Sequence, residues 1–297
     1  MATPQAQPRP MPSFDVARHT PSREWRAFWH HPFAWIGIVL LVLIVLFSFL
    51  GPVVYHVNAY AQNLNHVLKG PSARYPLGTD NLGRNDLVRM MIGGQLSLEV
   101  GFAAAIVSMV IGVVYGLLSG YAGGITDTIM MRAVDVMYSI PSLFFLLLID
   151  SMFTPSPLLL IFVIAIVSWF GVARLVRGEV LSLKGRDYVE AARAVGAGGG
   201  RIMVRHLLPN VFGVVMVSIT LQVAYAILTV AGLSFLGLGL PPPTPNWGEM
   251  LSNGINYMFQ NAWWLIYPPG LAILLVELSV NFVGVALHQA FDPRLRR

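Results

Sequence analysis

Residues 33–50 read FAWIGIVLLVLIVLFSFL, an apolar run without a single charged side chain. A helix of about 20 mostly apolar residues can cross the ~30 Å hydrocarbon core of a bilayer, because each residue adds ~1.5 Å. The run follows a polar, proline-rich segment and leads into Gly51-Pro52 without a small-residue cleavage site. It is also longer than the core of a signal peptide. We therefore expect an uncleaved membrane span at 33–55.

The composition of the whole chain favours a membrane protein. Of the 297 residues, 56% are apolar and only 11% are charged, whereas soluble domains carry about 25% charged residues. The mean hydropathy of +0.66 excludes a water-soluble globule, a disordered chain and a coiled coil. The absence of cysteine excludes disulfides, iron–sulfur clusters and thiolate zinc sites.

Further apolar runs are long enough to predict additional membrane helices. They lie at 96–120, 129–150, 157–175, 211–238 and 263–288. The second of these runs is the weakest, because Arg132 and Asp135 stand near its start and Pro141 lies inside it. Spaced three residues apart, Arg132 and Asp135 can pair on one helix face near the membrane edge.

The distribution of basic residues favours counting 129–150 as a span. With six spans and the N-terminus inside, the cytoplasmic segments hold 15 of the 19 Lys and Arg residues, in agreement with the positive-inside rule. Without that span, the seven basic residues within 174–205 would move outside. We therefore predict an all-α integral membrane protein with six transmembrane helices. Its tails at 1–32 and 291–297 are cytoplasmic, and the connection 56–95 is extracytoplasmic.

The predicted cytoplasmic loop 176–210 contains a helical hairpin. Residues 187–195, DYVEAARAV, form helices well, and the glycines that begin at Gly196 favour chain reversal. A second helical segment at about 201–208 then ends at Pro209. Small and aromatic side chains of the first helix share one face at a spacing of three to four residues: Tyr188, Ala191, Ala192 and Val195. Such a face suits a docking element, although an ordinary amphipathic surface loop would show the same pattern.

Motifs in this loop and elsewhere resemble those of one family of transport proteins. Glu190-Ala191-Ala192, followed by Gly196 and by Leu208-Pro209, resembles the EAA loop of ABC-importer permeases. His206 departs from that pattern, which has an apolar residue at this position. Five more stretches, in the same order, resemble the C-type subunit of dipeptide, oligopeptide and nickel permeases. They are PLGTDNLGR at 76–84, MRAVDV at 131–136, SFLGLG at 234–239, PPTPNWG at 242–248 and DPRLR at 292–296.

The resemblance implies a permease subunit of an ATP-driven importer that moves peptides by alternating access. The permease domain would span 96–290, and its loop would carry the coupling helix that docks on an ATPase. The implied coupling residues are Tyr188, Glu190, Ala191, Ala192, Gly196, Leu208 and Pro209. The implied partners are two ABC ATPases, a second homologous permease, membrane lipid, and a solute-binding protein that docks against 56–95 and 241–259. Nickel complexes or other small solutes remain alternative cargoes, and a second copy of this chain remains an alternative partner.

The chain itself carries no common signature of ATP binding or hydrolysis. The glycines at 196–200 are followed by Arg201 rather than by lysine and a hydroxyl residue, so they do not form a phosphate-binding loop. The seven histidines are scattered and show no metal-ligand spacing. The basic residues lie between apolar runs, where they set topology, so we expect no nucleic-acid partner. We also expect no catalytic residue, metal or cofactor here, and the resemblance assigns ATP and Mg to the partner ATPases.

Candidates for the translocation pathway are Asp135, Pro141 and Glu277. Carboxylates inside a membrane are functional candidates, and a proline bends a helix because it lacks an amide donor. Each also has a structural explanation: an ion pair between Asp135 and Arg132, a static kink, and a protonated or hydrogen-bonded packing residue at Glu277. A self-contained channel or secondary carrier that uses Glu277 would be a different class of protein, but it leaves the hairpin unexplained.

Three glycines form a stripe along the 96–120 span. Gly112, Gly116 and Gly120 recur every four residues, which lets another helix approach closely. We expect this stripe to pack within the chain rather than at a dimer interface.

Overall fold

The structure is a computed structural model that describes residues 21–291. The tail 1–20 and the segment 292–297, with its DPRLR motif, lie outside the described residues. All regular elements within 21–291 are helical, and the described chain contains one isolated bridge, between Thr79 and Asn85. The predicted all-α membrane class is therefore confirmed.

The α-helices of the described chain are numbered α1 to α12. They are α1 Pro21–His30, α2 Pro32–Phe49, α3 Gly51–Val54, α4 Asp86–Ala122, α5 Gly124–Ser139, α6 Ser142–Met152, α7 Pro157–Leu183, α8 Asp187–Ala194, α9 Gly199–Ile202, α10 Leu208–Phe235, α11 Trp247–Ile255 and α12 Tyr267–Phe291. A π-turn at Met203–Leu207 joins α9 to α10, and short 3-10 turns lie at Leu64–His66, Met258–Gln260 and Trp263–Leu265.

Among residues 21–291, five helices are long and apolar enough to cross a membrane, and a bent pair makes six if it counts as one span. The five contain α2, α4, α7, α10 and α12. The bent pair is α5 and α6, which meet at an angle of 79°. The break falls at Pro141, which lacks an amide donor and holds Ile140 in an extended conformation. The predicted span at 129–150 is thus two helices instead of one.

Two spans are longer than hydropathy predicts. Helix α4 begins at Asp86 instead of 96, and α7 continues to Leu183 instead of 175. The side-chain oxygen of Asn85 caps α4 by accepting hydrogen bonds from the amides of the next turn. A hydropathy window reads these extensions as polar because they carry charged residues, although the fold buries Asp86 and Arg89 and pairs Arg177 with Asp127 of α5.

Helices α4 and α7 pack closely along the glycine stripe. A Cβ at Gly112 would lie 2.6 Å from Val172, one at Gly116 would lie 2.5 Å from the Ala173 carbonyl, and one at Gly120 would lie 2.8 Å from Val180. A side chain at any of these positions would force the two helices apart. The expectation that the stripe packs within the chain is confirmed.

Helix α11 fills the space between α4 and α10 at one end of the bundle. Trp247 is fully buried, and its indole nitrogen donates a hydrogen bond to the Met90 carbonyl at 3.0 Å. Its backbone amide donates to Ser97 at 3.3 Å. The neighbouring Gly248 lies directly against the Ala231 carbonyl, where no side chain fits. The PPTPNWG stretch therefore anchors the 241–259 connection in the core.

Candidate functional site

The loop between α7 and α10 forms a helical hairpin at residues 184–207. Its first arm is α8, whose turn of reversal forms two hydrogen bonds: the Gly196 amide donates to the Arg193 carbonyl at 2.9 Å, and the Ala197 amide donates to the Ala192 carbonyl at 3.0 Å. This pair of bonds is a Schellman motif, and it requires the positive φ of +81° that Gly196 adopts. The predicted glycine stop is confirmed.

Helix α8 turns one face to the protein and the other to solvent. Val189 and Ala192 are buried in an apolar cluster with Ile202 and Leu207. The exposed residues of α8 and its C-cap include Tyr188, Glu190, Ala191 and Val195. The expected shared face therefore excludes Ala192, because the burial of Val189 rotates that side of the helix inward. Small side chains alone did not specify the rotation.

The second arm of the hairpin does not end where the sequence suggested. Pro209 lies in the first turn of α10, and the helix runs without interruption from Gly199 to Phe235. The π-turn before it changes the hydrogen-bond register, with the Leu208 amide donating to the Met203 carbonyl. The side chain of Asn210 donates to the His206 carbonyl at 2.6 Å. The missing amide of Pro209 therefore leaves the helix intact, and the predicted stop at this residue is wrong.

The hairpin rests on the end of α4. The ring of Tyr121 lies so close to Gly199 that a Cβ there would be 2.9 Å from the ring. The guanidinium of Arg193 lies 5.8 Å from the centre of the same ring, within range of a cation–π contact. Gly199 and Tyr121 thus fix the turn of the hairpin against the membrane helices.

Two ion pairs connect α5 with α7, and together they are called the α5–α7 ladder. Asp127 accepts two hydrogen bonds from Arg177, both at 2.6 Å, and a further bond from Ser119. Asp135 accepts one from Arg174 at 2.7 Å. The Asp127 pair is bidentate, which is the strong geometry for arginine and a carboxylate. Helix α5 is otherwise mostly exposed, so the ladder is its main polar attachment.

Asp135 pairs mainly with a residue that the sequence did not indicate. Its distance to Arg132 is 3.8 Å, compared with 2.7 Å to Arg174, and Arg132 is 79% exposed. Arg174 also stacks over the ring of Tyr138 at 4.5 Å. The expected local pair is thus the weaker of the two. Only the fold brings residue 174 beside residue 135.

A cavity of about 380 Å³, called the central cavity, lies where the α5–α6 break meets α7 and α10. Its lining includes Pro141, so the structure brings one predicted pathway residue to the cavity. Asp135 and Glu277 are not among the lining residues. The lining consists of Met137, Tyr138, Ile140, Pro141, Ser142, Phe145, Val167, Ser168, Phe170, Gly171, Gln222 and Tyr225. The lining residues carry no formal charge at neutral pH.

Glu277 lies on α12, away from this cavity. The residue is half-buried, and its Oε1 atom is buried without a hydrogen-bond partner among the described groups. The structure therefore separates Glu277 from Asp135 and Pro141, which the sequence had grouped as pathway candidates.

A second group of charges, the Asp80 charge cluster, was missed by the sequence analysis. It consists of Asp80, Arg84, Arg89 and Glu249. Asp80 accepts a hydrogen bond from Arg84 at 2.6 Å and lies 3.5 Å from Arg89, which in turn lies 3.4 Å from Glu249. Arg89 also donates to the Pro243 carbonyl at 3.3 Å. Burial raises the pKa of Glu249 above its ordinary value, and the nearby Arg89 partly offsets this.

The Asp80 charge cluster ties the connection 56–95 to α11. The concentration of four charges within 80–89 was a detectable signal. Their partner, Glu249, was not detectable, because it lies 160 residues further along the chain than Arg89.

Comparison with known proteins identifies the family. The family described as binding-protein-dependent transport system inner membrane component matches residues 112–297, and the N-terminal transmembrane domain of oligopeptide transport permease C matches residues 22–71. The chain is 42% identical to the oligopeptide transport system permease protein OppC of Escherichia coli K12, over 91% of this chain and 90% of that one. It is 39% identical to OppC of Bacillus subtilis, over 89% and 86% of the two chains.

A third relative is named for a different cargo. The chain is 38% identical to the di/tripeptide transport system permease protein DppC of Pseudomonas aeruginosa, over 92% of this chain and 91% of that one. The matches cover both the first span and the region that contains the hairpin and the cavity. The chain therefore belongs to the family of binding-protein-dependent transport system inner membrane components, in the branch that contains the OppC and DppC permeases.

Proposed function

We propose that this chain is one of two permease subunits of an ATP-driven importer that carries peptides across the cytoplasmic membrane. The observation that carries the proposal is the 184–207 hairpin, which rests on a buried face and presents Tyr188, Glu190, Ala191 and Val195 to solvent. The relatives named for oligopeptide, dipeptide and di/tripeptide transport support a peptide cargo. The second permease would be a homologue, with two ATPases below the pair.

The hairpin and both termini would face the cytoplasm. The positive-inside bias supports this orientation, because it places the basic residues of the hairpin on the ATPase side. A solute-binding protein would then dock on the opposite side, against 56–95 and 241–259. The Asp80 charge cluster joins these two connections into one surface.

Movement of the ATPase would reach the permease through three physical links. Helix α8 is joined to α7 by three residues, Lys184 to Arg186. The second arm continues without interruption into α10. The α5–α7 ladder then ties α7 to α5, which leads to the break at Pro141 and to the central cavity. A shift of the hairpin would therefore change the shape of the cavity, as alternating access requires.

This chain would contribute no catalytic residue to the importer. ATP and Mg would bind to the ATPase subunits, and the role of Glu190, Gly196, Leu208 and Pro209 would be to shape or present the docking surface. Gly196 acts through its backbone conformation, because it permits the reversal that exposes Val195. Ala192 would act from the buried face of α8, where its small side chain lets the helix pack closely on the apolar cluster beneath it.

A bulky residue on the exposed face tests the docking role. We expect Ala191→Trp to abolish the stimulation of ATP hydrolysis by loaded binding protein and to lower peptide uptake about tenfold or more, since docking surfaces tolerate such changes poorly. The same substitution at exposed Ala122, the last residue of α4, is the matched control. Wild-type uptake in Ala191→Trp, with normal assembly, would contradict the proposal.

The absence of native cysteine allows a direct test of orientation. Val195→Cys and Leu64→Cys each introduce a single thiol at an exposed position in opposite connections. A membrane-impermeant maleimide should label residue 64 in spheroplasts and residue 195 only after permeabilisation. The reverse pattern would overturn the orientation.

A separate measurement distinguishes an ATP-driven importer from a secondary carrier. Gradient-driven peptide flux by the permeases without any ATPase would favour the secondary carrier.

A further inference from the structure

We propose that the central cavity holds one bulky uncharged side chain of a peptide in transit, and that the chain thereby favours peptides with an aromatic or aliphatic residue. The inference rests on the proposed function and narrows its cargo class. It concerns the cavity bounded by the α5–α6 break, α7 and α10.

The cavity lies near the middle of the membrane helices that line it. Val167 and Gly171 follow Pro157, the first residue of α7, by ten and fourteen residues, or about 15–21 Å at ~1.5 Å per residue. Gln222 and Tyr225 stand at a comparable depth on α10, which begins at Leu208. The cavity therefore lies at mid-membrane depth, which a translocated molecule must cross, and not at either surface.

The walls of the cavity suit an apolar or aromatic group. Aromatic rings from four helices line it, those of Tyr138, Phe145, Phe170 and Tyr225. The volume of about 380 Å³ falls within the range of small-molecule sites, which combine apolar walls with a few polar groups. A charged side chain would lose its hydration there without gaining a partner of opposite charge, which is costly.

Two polar groups in the same cavity suit the backbone of a peptide. Ser168 is 9% exposed, and its hydroxyl has no hydrogen-bond partner among the described groups. The side-chain amide of Gln222 donates to the Ser168 carbonyl at 3.1 Å, which holds both residues at the cavity wall. Buried hydroxyls are normally paired. A peptide N–H or C=O, present in every cargo of this class, is a suitable partner for Ser168.

The charges beside the cavity argue against a lipid chain as its occupant. The side chains of Asp135 and Arg174 are 47% and 44% exposed, and they lie about one helical turn from the lining residues Tyr138 and Phe170. Charged groups at such exposure are unfavourable against hydrocarbon. This face of the bundle therefore meets water or protein, as the wall of a passage does.

A cavity-filling substitution tests the inference. A Cβ at Gly171 would meet nothing within 4 Å, so leucine at this position projects into open space at the cavity. Gly178 is the matched control: it lies two turns further along the same face of α7, its Cβ is equally unobstructed, and it does not line the cavity. The uptake of Ala-Trp-Ala and of Ala-Ala-Ala is measured in the complete transporter for the wild type, for Gly171→Leu and for Gly178→Leu.

We expect Gly171→Leu to lower the uptake of Ala-Trp-Ala relative to Ala-Ala-Ala on the order of tenfold, because loss of an apolar subsite reduces discrimination by that factor or more. Gly178→Leu should leave the ratio unchanged. Ser168→Ala should lower the uptake of both peptides equally, since the hydroxyl meets the backbone. Alanine and valine at 171 give a graded series should the leucine variant fail to assemble.

An unchanged uptake ratio in the Gly171 series would overturn the inference. This includes the case in which Gly171→Leu lowers the uptake of both peptides equally, which would indicate a packing or lipid site. Failure of the wild-type complex to take up either peptide would overturn the proposed function instead.

Discussion

The Asp80 charge cluster and the α5–α7 ladder place charges in contrasting surroundings. In the cluster, the side chains of Asp80, Arg84 and Arg89 are less than a tenth exposed and share several contacts within one compact block. In the ladder, each pair bridges two helices, and the Asp135–Arg174 pair is half exposed. Charges shared within one buried block hold two connections in place, whereas we expect a pair that joins two long helices to transmit a displacement between them. The charges of the Asp80 charge cluster thus serve stability, and those of the α5–α7 ladder serve the coupling between helices.

Loss of a cluster charge should have the largest effect on stability. Arg89→Met keeps an unbranched apolar stem but removes the guanidinium, which leaves Glu249 without its ion-pair partner and Asp80 with one cation fewer. Breaking a buried pair in this way costs on the order of 3–5 kcal/mol. Thermal unfolding of the purified permease complex should show a clearly lowered midpoint. Arg132→Met, at a highly exposed position, should change the midpoint little. An equal lowering of the midpoint in both variants would contradict the distinction between buried and exposed charges.

Loss of a ladder charge should affect coupling more than stability. Asp127→Asn removes the bidentate pair with Arg177, and a charge-assisted hydrogen bond is worth about 1.5–3 kcal/mol, which is roughly tenfold in an equilibrium at the lower end of that range. We expect the number of peptides imported per ATP hydrolysed to fall by about that factor. Asp135→Asn, in the exposed pair, should have a smaller effect.

A reversed pair separates coupling from general damage at this position. The double variant Asp127→Arg with Arg177→Asp restores the ion pair in the opposite sense and should recover much of the peptide-to-ATP ratio. A ratio that stays normal in Asp127→Asn would show that the ladder transmits nothing.

The smallest expected effect is a pH dependence that originates at Glu249. Burial raises its pKa above the ordinary value of 4.5, with Asp80 adding to the rise and Arg89, Arg84 and a hydrogen bond from Asn253 opposing it. The folded protein therefore holds a proton at pH values where the unfolded chain has released it. The free energy of unfolding consequently falls as the pH rises from 4.5 through this window. Glu249→Gln should flatten that slope in thermal unfolding, whereas Glu190→Gln should not.

Hydropathy and charge bias predicted the membrane class, the number of apolar runs and the weakness of the sixth span. They failed at the ends of α4 and α7, because Asp86, Arg89 and Arg177 lie in extensions that hydropathy reads as polar. Neither a hydropathy window nor a helical period contains information about ion-pair partners 39 to 160 residues away. The same limit explains why Asp135 was assigned to Arg132.

The hairpin was predictable in outline and not in detail. Gly196 identified the reversal, since a positive φ is a local requirement of the backbone. The rotation of α8 depended on which of several small side chains met the apolar cluster, so Ala192 was misplaced. The continuity of α10 past Pro209 depended on a π-turn, which has no sequence signature in this chain. Of the residues that line the cavity, the sequence indicated only Pro141 as a candidate.

The uninterrupted helix from Gly199 to Phe235 has a mechanical consequence. Its 37 residues make a rigid rod about 55 Å long, so a tilt of roughly 5° about its centre moves each tip by some 2–3 Å. The rod begins in the hairpin and ends beside α11, beneath the surface proposed for the binding protein. A displacement of the hairpin at one membrane face therefore produces an opposite displacement of the helix end at the other face, and no segment has to unfold.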